Sequence, residues 1–173
     1  MKTILVSAGH NDNDPGAVGN GYKESTLAVK MRDRVAKALR GLGFTVLEDG
    51  EDGVNEPLNR AIQLCRQSDI AVEIHFNAGQ PTACGVEALA KLPLRKLSQD
   101  LCLAVNKAAG IKLRGDKGWK LDSSGQHHRL GFCEAGGVIL EVCFISSASD
   151  MAAYAGKKEQ VAEAVANAIA KNA

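Results

Sequence analysis

His10, Glu24, His75 and Glu141 are the residues of this chain whose types and places could perform chemistry together. His10 lies just past a short apolar run, Thr3 to Ala8, and His75 follows directly on another, Ile70 to Ile74. Glu141 sits near the end of a third run, Val138 to Val142. In an open α/β sheet, sites form outside the carboxyl ends of the strands, so these three side chains are expected to converge on one edge. Gly9 lets the backbone turn sharply after the first run. Asp14-Pro15-Gly16 is a turn signal that folds the loop back and returns Glu24, at a helix start, towards His10. Two imidazole nitrogens and one carboxylate oxygen suit Zn²⁺, with a fourth position left for water. Such a site polarises a carbonyl and lowers the pKa of bound water to about 7. A further carboxylate must then take the water's proton and pass it to the leaving amine, and Glu141 is the candidate. Taken singly, each residue has a plain structural reading: a core histidine, a helix-dipole glutamate, a glutamate paired with an arginine. Together, at strand ends and among turn glycines, they point to metal-assisted hydrolysis of an amide.

The elements that must position them alternate. Thr3 to Ala8 reads as a buried strand. Glu24 opens a helix whose Leu27, Met31, Val35, Ala38, Leu39 and Leu42 share one face, ended by Gly41 and Gly43. Phe44 to Leu47 predicts a second strand, and Asn55 to Gln67 a second helix with Pro57 near its first turn. Ile70 to Ile74 and Gly85 to Ala90 predict a third and fourth strand. Ser98 to Ala109 lies in a long helix, Ile111 to Gly137 is Gly-rich and basic with a short strand or hairpin, Val138 to Val142 is a strand, and Lys157 to Lys171 is a closing helix. This alternation predicts an α/β fold: a single domain, residues 1–173, with a twisted, mostly parallel sheet flanked by helices on both faces.

A chain of 173 residues is the size of one domain. The net charge of +1 gives no field suited to nucleic acid or an anionic membrane. No apolar run approaches the roughly 20 residues of a membrane span. Met1-Lys2 leads straight into the first strand, with no secretory apolar core. The five cysteines, an odd number without a C-x-x-C pair, read as buried free thiols and suggest a reducing cytoplasm.

The chain resembles the zinc-dependent N-acetylmuramoyl-L-alanine amidases of the Amidase_3 type. The resemblance rests on Gly9-His10, Asp14-Pro15-Gly16-Ala17, Gly19, Gly21 and Glu24, then Asn59-Arg60-Ala61, Ser68-Asp69 and Ile74-His75-Phe76-Asn77-Ala78. It continues through Gly85-Val86-Glu87 and Val138-Ile139-Leu140-Glu141-Val142, followed by Phe144-Ile145-Ser146 and Asp150. These matches run in the family's order over nearly the whole chain. The resemblance implies that His10, Glu24 and His75 are zinc ligands and Glu141 the catalytic acid/base. The implied reaction is hydrolysis of the amide between the lactyl group of N-acetylmuramic acid and L-alanine in peptidoglycan. Asn11-Asp12 replaces two glycines usual in the family, Val142-Cys143 replaces residues that often include a glycine, and Ser147 stands where an asparagine is common.

Lys112, Arg114, Lys117, Lys120 and Arg129 make the Gly-rich segment basic, either as a solvated face or to meet stem-peptide carboxylates, with Trp119 packing on sugar or peptide. Asn77, Arg114 and Trp119 are the expected substrate contacts. His127-His128 has no further ligand at suitable spacing and reads as a loop lining the groove. Glu134 is the rival catalytic carboxylate, ranked lower because it precedes Gly136-Gly137 rather than ending a strand. Glu73 and Glu87 are expected to face solvent or salt bridges, and Ser7 lacks a nucleophile-elbow context. The expected protein is thus a monomeric peptidoglycan amidase of phage or prophage lysis, an endolysin held in the cytoplasm until released to the wall. The alternatives are a zinc peptidase or amidase on another peptide, and a non-catalytic wall-binding module.

Overall fold

The structure, a computed structural model, describes residues 2–50, 53–124 and 130–173. Its elements follow in the order β1 (Thr3–Ala8), β2 (Val18–Gly19), β3 (Tyr22–Lys23), α1 (Glu24–Gly41), β4 (Thr45–Glu48), α2 (Leu58–Cys65), β5 (Ile70–Asn77) and β6 (Glu87–Ala90). A 3₁₀ turn at Leu92–Leu94 leads into α3 (Arg95–Ala109), then β7 (Trp119–Leu121), α4 (Gly131–Glu134), β8 (Val138–Phe144), α5 (Ala148–Ala155) and α6 (Lys158–Asn172). The main sheet has the order β4-β1-β5-β8-β6-β7, and β2 and β3 form a separate hairpin. All neighbours in the main sheet are parallel except β6 and β8. This is the single-domain, mostly parallel α/β sheet that the alternating pattern predicts.

The sheet is buried on both faces, which is why its central strands read as continuous apolar runs rather than alternating ones. On one face Ile4, Val6, Val72, Ile74, Phe76 and Leu140 join the core beneath α1, α3 and α6. On the other, Leu5, Ala71, Leu89 and Ile139 pack with Ala61 and Leu64 of α2 and Phe132 of α4. The second cover is short. It leaves the carboxyl end of that face open, and there the polar residues emerge.

Several boundaries differ from the sequence reading. β5 runs on to Asn77, so His75 lies inside the strand and not after it, because hydrogen bonding to β8 continues past the apolar run. The second helix is shorter than 55–67. Pro57 takes its N-cap position at φ −62° and ψ 154°, and the Asn55 side chain is drawn into a buried polar network. The Gly-rich segment contributes β7 and the four-residue α4. Ser147 caps α5 by accepting the Asp150 N–H, a service that serine performs as well as the asparagine usual at that place.

Candidate metal and catalytic site

The chain leaves β1 through Gly9, whose nearest neighbour is the His75 ring. His10 then adopts φ +64°, a left-handed conformation unfavourable for a residue with a Cβ. Such strain persists only where the surroundings over-determine it. Here Asn55 donates through Nδ2 to the carbonyls of Ala8 and His10, and its Oδ1 accepts from Arg32 at 3.0 Å. Arg32 is fully buried and pairs with Asp49 at 3.2 Å, which in turn accepts from the Ser7 hydroxyl and the Ala8 N–H. Every member of this network has a partner, so it fixes the strained backbone rather than weakening the core.

Glu24 is the first residue of α1 and is buried. The loop brings it back because Glu24 N–H bonds to the Ala17 carbonyl and Ser25 N–H to that of Pro15. One of its oxygens lies 3.1 Å from His10 Nε2 and 2.9 Å from the Ala17 nitrogen; the other lies 2.9 Å from His75 Nδ1 and 3.1 Å from the Phe76 nitrogen. Burial opposes its ionisation, but hydrogen bonds from His10 and His75 outweigh burial and hold the carboxyl well below the usual range. Burial likewise disfavours the charged His75 ring, yet Glu24 and Glu73 raise its pKa well above the ordinary value. His10 is raised chiefly by its hydrogen bond to Glu24.

The donor atoms of His10, Glu24 and His75 all lie within 4.8 Å of one another. Ligands about 2.0–2.1 Å from a tetrahedral zinc stand about 3.3 Å apart, and the two Glu24 oxygens lie 3.1 Å from His10 Nε2 and 2.9 Å from His75 Nδ1. The far nitrogen of each ring is held by a carboxylate: His10 Nδ1 by Asp14 at 2.9 Å, His75 Nε2 by Glu73 at 3.1 Å. A carboxylate behind each histidine is the usual support of a metal-binding imidazole. The residues therefore fit a zinc ion.

Glu141 stands in the sheet beside His75. In register it pairs with His75 on β5 and with Glu87 on β6, so the three side chains leave the same face. Its Oε2 is sealed from solvent with no hydrogen-bond partner among the described residues. Burial pushes its carboxyl up to about 7; His75 opposes this, and Glu24 and Glu87 add to it. A buried carboxyl poised near neutrality, beside a metal-donor set, can exchange a proton with water.

Beyond Glu141 a cavity of about 680 Å³ is lined by Asn77, Glu87, Arg114, Trp119, Lys120 and Phe144, among others. All three expected substrate contacts thus meet in one groove. Glu87 does not face solvent. It is buried and accepts from Asn77 Nδ2 at 2.9 Å, Arg114 Nε and Lys120 Nζ at 2.7 Å. Arg114 lies over the Phe144 ring, 4.6 Å from its centre. Trp119 spends its indole N–H on the Ala90 carbonyl and carries Arg95 over its ring. A smaller cavity of about 220 Å³ opens on the other side of His10 and His75, between Leu58 and Phe132.

Of the two alternatives for Glu73, solvent or an ion pair, the structure shows the second: it is 4% exposed and holds His75, because it shares the strand face of His75 two residues on. Its period-2 relation to a ligand was the available signal, as was the four-residue spacing of Asp14 from His10. Glu134 lies apart from the site and pairs with Lys91 at 2.8 Å. His127, His128 and Arg129 lie outside the described residues. All five cysteines are free, and four are buried.

Comparison with known proteins places the chain in a family. Residues 4–171 match the family model Amidase_3, N-acetylmuramoyl-L-alanine amidase. The chain is 43% identical to a candidate N-acetylmuramoyl-L-alanine amidase of known crystal structure from Neisseria meningitidis, with a TM-score of 0.91 over 99% of this chain and 95% of that one. It is 25% identical over 177 residues to the uncharacterized protein YqiI of Bacillus subtilis (strain 168), covering 97% of this chain and 83% of the other. It is 26% identical over 176 residues to the N-acetylmuramoyl-L-alanine amidase LytC of the same organism, covering 95% of this chain and 34% of LytC.

Proposed function

This chain belongs to the Amidase_3 family and is an amidase of the N-acetylmuramoyl-L-alanine type acting on peptidoglycan; from that premise we propose that its reaction is zinc-dependent, with His10, Glu24 and His75 as ligands and Glu141 as catalytic acid/base. The observation that carries the reading is the sealed, unpartnered Oε2 of Glu141, in register beside His75. When bound, zinc supplies a Lewis acid for the scissile carbonyl and acidifies water. Glu141 takes the proton of the attacking water and returns it to the departing nitrogen of L-alanine. The carbon–nitrogen bond breaks, leaving a carboxylate on the lactyl group and a free stem peptide. Asp14 and Glu73 keep the two imidazoles oriented. Arg114 and Lys120 bring two positive charges against the one of Glu87, and the remaining charge suits a stem-peptide carboxylate. Asn77 and Trp119 line the same groove.

Wild type and Glu141→Ala, assayed together for zinc per chain and for peptidoglycan digestion by mass, test the proposal. One zinc in both, with stem peptide released by the wild type alone, supports it; a wild type without zinc, or undiminished turnover in the variant, overturns it. The proposal extends to a monomeric enzyme of phage or prophage lysis that waits in the cytoplasm. Its five free thiols, four of them buried, suit a reducing compartment. Expression with and without a membrane-permeabilising partner checks this, and lysis by the enzyme alone would contradict it.

A further inference from the structure

Between the β2–β3 hairpin, α1 and the junction of α5 with α6 lies a separate cavity of about 490 Å³, which shares no lining residue with the metal-donor site or the Arg114 groove. Its volume is that of a small-molecule site. Lys23, Lys30, Arg34 and Lys158 line it. Arg34 pairs with Glu159 at 2.6 Å, a glutamate that is itself 62% exposed. The three lysines have no ion-pair partner among the described residues. The whole chain carries a net charge of only +1, so this local excess is not a consequence of a basic composition.

A second observation is independent of the surface charge. Tyr154 also lines this cavity; it is 3% exposed, with its ring edge-on to Phe76 at 5.0 Å. A buried tyrosine hydroxyl ordinarily finds a hydrogen-bond partner, yet that of Tyr154 has none among the described residues. Among the described residues the side-chain oxygen that is both sealed and unpartnered is Glu141 Oε2; the Tyr154 oxygen is not sealed, and Tyr154 is one of the residues lining this cavity. The amino end of α6 adds to the same field: Lys158 is its first residue, and no side chain caps it.

We propose that this cavity binds a multiply charged phosphate-bearing anion, the Tyr154 hydroxyl donating to a phosphoryl oxygen and the four cations surrounding it. Ammonium groups converging from several elements suit the several oxygens of tetrahedral phosphate, whereas a planar carboxylate is satisfied by one guanidinium fork. The site is independent of the amidase chemistry.

Titration of the zinc-loaded protein with inorganic tripolyphosphate, followed by backbone amide resonances, tests it, with citrate as a carboxylate control. Saturable shifts are expected at Tyr22, Thr26 and Ala155, with Gly9 and Asn77 unmoved. Affinity should fall as salt rises. Lys30→Gln/Lys158→Gln should weaken binding by roughly tenfold or more, the worth of lost charge-assisted bonds. Tyr154→Phe, which keeps the packed ring, should weaken it by roughly fivefold, the worth of one neutral hydrogen bond. Amidase turnover should be unchanged in all variants. Shifts centred on Gly9, equal affinity in both variants, or citrate bound as tightly would overturn the proposal.

Discussion

A carboxyl that takes a proton from water near neutral pH must be poised there, and burial does this for Glu141 at some expense to the fold. Its pKa, raised to about 7 by burial, means that the folded state prefers the protonated form. Ionisation above that value therefore destabilises the metal-free protein. Glu141→Gln should abolish turnover and yet raise the stability of the metal-free protein by about 2 kcal/mol at pH 8.5, with little gain at pH 5, where the wild-type carboxyl is already neutral. Thermal unfolding at the two pH values checks this; an equal shift at both would mean that the Glu141 charge is not the cause. Asp14 and Glu73 act one step further out. Glu73→Gln and Asp14→Asn should each weaken zinc binding by about 10–100-fold, measured by chelator competition, with the fold intact. The places of His10, His75 and Glu141 were legible in the sequence because each follows or ends an apolar run, and that of Glu24 because it opens a helix after the Asp14-Pro15-Gly16 turn signal. The supports were not, since Glu73 reads as one more charge in a strand and becomes a hydrogen-bond acceptor for His75 only when both faces of β5 are covered.

At the scale of elements, the site depends on backbones that approach without side chains between them. A Cβ on Gly9 would lie 2.2 Å from His75 Cε1 and 2.3 Å from its Nε2, and one on Gly16 would meet His10 Cδ2 at 2.5 Å and Glu24 Oε2 at 2.6 Å, at a φ of +62°. Gly9→Ala should therefore displace His75 and lose bound zinc while far-ultraviolet circular dichroism stays that of the wild type; retained zinc would show that the loop can yield. Asn55→Ala removes the clamp on the His10 carbonyl and leaves Arg32 with one buried acceptor fewer. It should cost about 1–3 kcal/mol of stability, read from urea unfolding, and lower zinc affinity as well. The strands β1 and β8 could be read from apolar runs because parallel strands are buried on both sides. The hairpin of β2 and β3 could not, since two-residue strands carry no periodicity, and it is placed by contacts far along the chain, such as Asn20 Nδ2 to the Ile145 carbonyl. The second helix, Leu58–Cys65, starts later than the predicted Asn55 because the Asn55 side chain is bound to the buried Arg32 and Pro57 takes the N-cap position.

Over the whole molecule, these groups couple metal, proton and stability. In the metal-free protein the raised His10 and His75 contribute stability that is fully present below the ordinary imidazole value of 6.5 and is lost as pH rises through their folded values. Glu24, depressed, contributes stability above the ordinary value of 4.5, lost only as pH falls through its folded value in strong acid. Glu141 adds a destabilising charge above about 7. Together the four groups place the best stability of the metal-free protein between about pH 4.5 and 6.5 as far as this site is concerned. Zinc has the opposite dependence, because its ligands must give up their protons to bind. A ligand that binds only the folded state stabilises by RT ln(1 + [L]/Kd), so tighter binding at higher pH appears directly in the unfolding temperature. The gap in Tm between zinc-loaded and metal-free protein should therefore widen steadily from pH 6 to pH 9 in scanning calorimetry at fixed free zinc. In Glu73→Gln the gap should be smaller at every pH, since His75 loses the carboxylate charge that raises its basicity. A gap independent of pH would mean that metal binding displaces no protons from His10 and His75, and would remove them as ligands.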